Sequence, residues 1–232
     1  MAETILELRD IAKVYGAGET EVTALSFISL AFAQGEFAAV VGPSGSGKTT
    51  LLNIIGCLDS PTRGELLWRG VPMRTMGRAQ LAAYRRTHVS FIFQSYNLIP
   101  VLTVTENVEL PLLIEGERDK TLIRRRALDI LAMVGLSDKA GRRPTELSGG
   151  QEQRVAIARA LVKKPSIVLA DEPTANLDSH TAGEIIELMR EINEKTKTTF
   201  LFSTHDQRIM DMAHRIVALH DGKIERDERN TI

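Results

Sequence analysis

The stretch "GPSGSGKT" (Gly42 to Thr49) does most to limit what this chain can fold into. An unbroken apolar run, "FAAVV", precedes it, and a helix-forming run, "TTLLNIIGCL", follows. Glycines at this spacing let successive backbone N–H groups turn inward on an anion, and the helix start beyond adds partial positive charge. Strand, glycine-rich turn, Lys-Thr and helix, in that order, are the setting of a phosphate-binding loop. Gly42, Pro43, Ser44, Gly45, Ser46, Gly47, Lys48, Thr49 and Thr50 are therefore expected to cradle the phosphates of a nucleotide. Lys48 should reach the terminal phosphates, and the Thr49 hydroxyl should ligate Mg²⁺.

Strand and helix patterns continue on both sides of this loop. "ILELRDIAKVY", "EVTALSFISLAFA" and "EFAAVVG" read as strands. The second has Val22, Ala24 and further apolar positions spaced by two, as a half-exposed strand requires. A short strand is expected at Glu65–Trp68, a helix at "RAQLAAYRR" and a strand at "HVSFIFQ". From about Tyr96 to Arg159 the patterns are helical. The longest runs from Arg118 to Val134, with Leu122, Ile123, Leu128 and Leu131 on an apolar stripe and "RRRALD" on the solvated side. "SIVLADE" then reads as a strand buried on both faces of a parallel sheet. In "SHTAGEIIELMREIN", Ala182, Ile185, Ile186, Met189 and Ile192 fall at helical spacing. "TTFLFST", a short helix near Asp206–Ala213 and two strands about the Asp-Gly turn of "RIVALHDGKI" follow, and "ERDERNTI" is expected to be a frayed tail. An all-helical stretch inside an alternating chain implies a lobe folded beside the main sheet.

"IVLADEP" places Asp171 and Glu172 at the end of a buried strand, where ligands of open parallel sheets bind. Neighbouring carboxylates at a strand end point to opposite sides, which suits separate tasks. Asp171 can hold the Mg²⁺ shell, and Glu172 can act as general base toward a water attacking the γ-phosphate. His205 closes the strand "TTFLFST" as Asp171 closes its own, so it is either a donor to the γ-phosphate or an ordinary strand-end histidine. His88, His180, His214 and His220 take the ordinary reading. Gln94, after "VSFIF", is suited to a Mg²⁺ or water contact that makes and breaks. Tyr15 either stacks on an adenine or is a plain strand aromatic.

A second glycine-rich helix start, "LSGGQ" (Leu147–Gln151), opens "EQRVAIARAL" and has no lysine of its own. A Ser148 helix cap accounts for part of it and leaves the paired glycines without a reason. Together, Tyr15, "GPSGSGKTT", Gln94, "LSGGQ", "IVLADE", "NLD" (Asn176–Asp178) and His205 resemble, in order, the ATP-binding subunits of ABC transporters, over nearly the whole chain from Ile5 to about Glu225. The resemblance implies an α/β fold: a P-loop NTPase with a mainly parallel core sheet, an N-terminal antiparallel β region and an inserted α-helical subdomain. One domain over 1–232 is expected, with the core in 1–94 and 160–232 and the helical part in 95–159. It also implies a homodimer in which each ATP lies between one subunit's phosphate loop and the other's signature. Ser148, Gly149, Gly150 and Gln151 would then belong to the shell of a partner's nucleotide. Glu152 departs from the Gln, Lys or Arg common at that place, with little consequence expected.

Segments such as "NIIGCLDSPTRGELLWRG" and "FIFQSYNLIPVLTVTENVELPLL" look most like the lipoprotein-releasing and macrolide-export group, which implies an integral membrane permease as partner. Ser95–Leu113, with Tyr96, Leu98, Ile99, Val101 and Leu102, is the expected gripping surface, about half of those residues being needed inside the helical lobe. A regulatory ATPase on a non-transporting membrane partner, or an amino-acid importer ATPase, would carry the same motifs. A net charge of −1 argues against nucleic acid as a partner. No run of 18 apolar residues occurs, so direct membrane insertion is not expected. The single cysteine, Cys57, fits a reducing compartment and a small buried hydrophobe, and the expected place is the cytoplasmic face of the inner membrane.

Overall fold

The computed structural model describes residues 3–230. Its elements, in order, are β1 (Thr4–Tyr15), β2 (Val22–Ala33), β3 (Phe37–Val41), α1 (Lys48–Ile55), β4 (Arg63–Trp68), β5 (Val71–Pro72), α2 (Arg78–His88) and β6 (Val89–Ile92). The chain continues through α3 (Val104–Glu115), α4 (Lys120–Met133), α5 (Gly149–Leu161), β7 (Ile167–Asp171) and α6 (Ser179–Thr196). It finishes with β8 (Thr199–Ser203), α7 (Gln207–Met212), β9 (Arg215–His220) and β10 (Lys223–Arg229).

Two sheets form, of orders β2-β1-β4-β5 and β10-β9-β3-β8-β7-β6. The first is antiparallel throughout. In the second, β9, β3, β8, β7 and β6 run parallel and β10 adds an antiparallel edge. Its central strands are buried along their length, which is why "FAAVV" and "TFLFS" show no polar alternation. Successive residues serve opposite faces. Phe37, Phe200 and Phe202 pack among the helices α3 to α6, whereas Ala38, Val40 and Leu201 pack with α1 and the antiparallel sheet. All parallel strands end on one edge, so the residues just beyond β3, β6, β7 and β8 converge there.

Three expectations need correction. In β2 the buried residues are Leu25, Ile28, Leu30 and Phe32, while Val22 is 62% exposed and Ala24 only partly covered. Phe27 takes a left-handed φ of 55° where the pairing register with β1 shifts, and a bulge there moves the side chains to the other face. In α4 the stripe is Ile123, Ala127 and Leu131; Leu128 is 39% exposed because the helix presents only a narrow face to its neighbours. The "ERDER" segment is not a frayed tail, since β10 pairs with β9 as far as Arg229. Its polar side chains suit a sheet edge, and the Arg215 guanidinium reaches across to both Asp227 oxygens at 2.7 Å. The last two residues of that stretch lie outside the described residues.

Candidate functional site

A cleft of about 640 Å³ lies at the carboxyl edge of the parallel strands, lined by the phosphate loop together with Gln94, Asp171, Glu172 and His205. The loop follows β3, and α1 starts directly at Lys48. Gly47 holds a φ of 102°, and any Cβ there would meet the Ala24 carbonyl oxygen at 2.6 Å, so only glycine lets the loop close onto β2. The Lys48 ammonium donates to the Gly42 and Pro43 carbonyls at 2.8 and 2.9 Å, which holds a flexible cation inside the turn. Ser46 is buried, and its hydroxyl has no hydrogen-bond partner among the described residues.

Asp171 and Glu172 have separate partners. The Thr49 hydroxyl donates to Asp171 at 3.1 Å, bringing together two hard oxygen donors from residues 122 positions apart. Glu172 stands in the left-handed region at φ 46°, an arrangement that costs about 1–3 kcal/mol and persists where the surroundings over-determine it. Its amide donates to the Ser203 carbonyl at 2.8 Å, and its carboxylate lies 2.9 Å from Nδ1 of His205. A carboxylate only accepts, so Nδ1 carries the proton of that bond. Nε2 can then donate to a phosphate only in the doubly protonated ring. Gln94 is exposed, and its carbonyl accepts from the Asn176 amide at 2.9 Å, which joins the segment after β6 to the "NLD" turn.

Tyr15 does not line this cleft. Its hydroxyl donates to Asp59 at 2.7 Å, Lys13 stands 4.8 Å from its ring centre, and the ring is 41% exposed at the end of β1. The signature turn is also outside the cleft, at the start of α5. Ser148 caps that helix, accepting from the Gln151 amide, while the Gln151 side chain reaches back to the Ser148 amide. The glycines have a reason that spacing did not reveal. A Cβ on Gly150 would come within 2.4 Å of the Thr181 methyl, and one on Gly149 within 3.2 Å of the Tyr96 hydroxyl. The signature turn is therefore pressed against α6 and the segment after Gln94.

Several residues in this assembly escaped sequence reading. Arg159 donates to the carbonyls of Tyr96 and Asn97 at 2.6 and 2.5 Å, holding two residues of left-handed φ. Asp206 caps α7 and accepts from Thr174 at 2.8 Å; burial opposes its charge, but bonds from Arg208 and Thr174 outweigh that and lower its pKa. The apolar spacing of "VAIARAL" is the only sequence signal that turns Arg159 inward, and nothing in it marks the partners. Cys57 sits at a left-handed residue just after α1, and burial pushes its thiol up to about 11, in keeping with a packed residue rather than a nucleophile.

Comparisons with known proteins agree with this geometry. The ABC transporter family matches residues 25–175. An ABC transporter ATP-binding protein of Thermotoga maritima is 48% identical over 228 residues, 98% of this chain and 97% of that protein. The macrolide export ATP-binding/permease protein MacB of Hyphomonas neptunium is 44% identical over 99% of this chain, which spans 35% of MacB. A solved dimer of the ATP-binding cassette MJ0796, in a post-hydrolysis state bound to ADP and Pi, superposes with a TM-score of 0.88 at 44% identity, covering 97% of this chain and 98% of that one. With two glycine-rich helix starts, an acid pair at a buried strand end and these relatives, the chain belongs to the ATP-binding subunits of ABC transporters.

Proposed function

We propose that this chain hydrolyses MgATP at the cleft edge and does so as a head-to-tail homodimer that drives a separate membrane permease of the macrolide-export or lipoprotein-release kind. The observation carrying this reading is the separation of the two glycine-rich turns: the signature does not line its own chain's cleft. A helix start without a fixed cation binds a phosphate weakly and contributes where another site already holds it.

The roles follow from the contacts. Gly42 to Thr50 present backbone donors to the phosphates, and Lys48 exchanges its two carbonyl acceptors for phosphate oxygens. Thr49 and Asp171 are oxygen donors of the kind Mg²⁺ takes alongside substrate phosphates, and Gln94, which lines the same cleft, would add its side-chain amide oxygen. Held by these residues, Mg²⁺ would supply charge neutralisation for the phosphates. Glu172 takes a proton from the attacking water as oxygen bonds to the γ-phosphorus and the bond to ADP breaks. His205, oriented by Glu172, donates to the γ-phosphate in its protonated form. Tyr15 offers its exposed ring to the adenine. From the partner, Ser148, Gly149, Gly150 and Gln151 close over the γ-phosphate.

Among the described residues no helix is long and apolar enough to cross a membrane. On the proposed reading the chain binds the cytoplasmic face of the inner membrane through its permease. Val101, 74% exposed, and Leu113 and Ile114, 45% and 59% exposed, form the apolar part of the gripping surface, while Leu98 packs against the core. The test is Glu172→Gln. ATP binding should persist, turnover should fall by about a hundredfold or more, and the protein should elute as an ATP-dependent dimer. Turnover at the parent rate would remove the base assignment, and a monomer at saturating ATP would remove the shared site.

A further inference from the structure

The two turns of one chain are joined through a side chain that no motif includes. Gln153 lies on α5, one turn beyond the signature glycines, and is fully buried. Its amide nitrogen donates to the Pro173 carbonyl at 2.6 Å. Pro173 directly follows Glu172, whose backbone is already held in the left-handed region. The amide oxygen of Gln153 has no partner among the described residues. A buried amide that fulfils half its bonding lowers stability compared with an apolar residue of the same shape. Packing therefore does not explain its presence, whereas a directed bond to the chain beside the acid does.

We propose that Gln153 is a positioning residue linking the two nucleotide sites: it ties the signature helix, which serves the partner's ATP, to the segment that aims Glu172 at its own. The proposal rests on the shared-nucleotide reading above. Closure of the signature over a partner's γ-phosphate displaces α5. Thr181, which leaves no room for a Cβ on Gly150, and Leu177, beside the position a Gly149 Cβ would take, carry that displacement to α6 and the "NLD" turn, and the Gln153 bond carries it to Pro173. One protomer's capture of nucleotide thereby sets the carboxylate that hydrolyses the other nucleotide.

The experiment uses Gln153→Met, which keeps length and volume and removes the donor. Four quantities are measured on the full chain: melting temperature, ATP affinity at concentrations where it is monomeric, kcat, and the Hill coefficient of turnover against ATP. Melting temperature should equal or exceed the parent's, and monomer affinity should match it. The turnover kcat should fall about tenfold, and the Hill coefficient should drop from about two toward one, two being the limit for two coupled sites. Gln153→Leu, shorter but equally without a donor, should give the same Hill coefficient whatever it does to stability. Parent values of kcat and Hill coefficient in Gln153→Met overturn the proposal. So does a fall in kcat that only tracks loss of folded protein with the Hill coefficient unchanged. A parent that is itself non-cooperative, and whose turnover survives Ser148→Arg, rejects the shared site instead, and the link with it.

Discussion

The phosphate loop and the signature turn are both glycine-rich helix starts, yet they are built in opposite ways. The first is anchored by β3, a strand buried along its whole length, and carries its own cation, Lys48. The second has no lysine, is capped by its own Ser148 and Gln151, and rests against α6 through Gly150. One arrangement can hold a polyanion alone. The other is shaped by its neighbours and suits a phosphate that something else has already brought. Close approach explains glycines in both turns, Gly47 against the Ala24 carbonyl and Gly150 against Thr181, so the difference between the turns lies in the cation that only the first one carries.

The sharpest way to break this comparison is Lys48→Ala. Two charge-assisted contacts to phosphate should be lost, about 3 kcal/mol or more, which is roughly a hundredfold or more in the ATP dissociation constant of the isolated chain. Titration calorimetry on dilute protein reads it; an unchanged constant would mean that the first turn does not act alone. Ser148→Arg should do the reverse. Single-chain affinity should stay within about twofold, since surface substitutions away from a site rarely exceed 0.5 kcal/mol, while ATP-driven dimerisation disappears from light scattering. Loss of single-chain binding would place the signature in its own chain's cleft.

Gly150→Ala tests the packing half of the argument. The new methyl overlaps Thr181, so stability should fall by about 1–3 kcal/mol in thermal or urea melts. Thr181→Ser removes the opposing methyl and should restore most of that loss in the double variant. Full stability in Gly150→Ala alone would mean that the glycine serves only the nucleotide. The smallest effect concerns Cys57, just behind the first turn. A thiol with its pKa raised to about 11 is neutral at pH 8, where only about one molecule in a thousand is thiolate. Alkylation should be slow at pH 8 with or without ATP and should rise steadily toward pH 11. A rate equal to that of a free thiol at pH 8 would show that the end of α1 is open.

Much of the site was legible because its chemistry is local in sequence. Lys48, Thr49 and the loop glycines share one turn, and Asp171 and Glu172 share one strand end, so strand, motif and helix patterns place them directly. At His205 the sequence leaves two readings open, and it does not announce that the ring lies 2.9 Å from Glu172, a pairing of residues 33 positions apart. Where the sequence misled, a local event or a cross-strand partner intervened. The bulge at Phe27 reversed the faces of the first part of β2, and cross-strand pairing of Arg215 with Asp227 accompanied a strand where composition suggested a loose end.

The sequence alone determined the parallel core, the order of the motifs and which residues are the candidates for holding phosphate, because periodicity and short motifs are properties of neighbouring residues. Only the tertiary structure decided what joins them: Gln153 to Pro173, Asn176 to Gln94, Arg159 to the turn after β6, and Gly150 against Thr181. Each of these depends on which helix face meets which loop and at what distance. Many packings satisfy one hydrophobic pattern, and the buried donors find their acceptors in one of them.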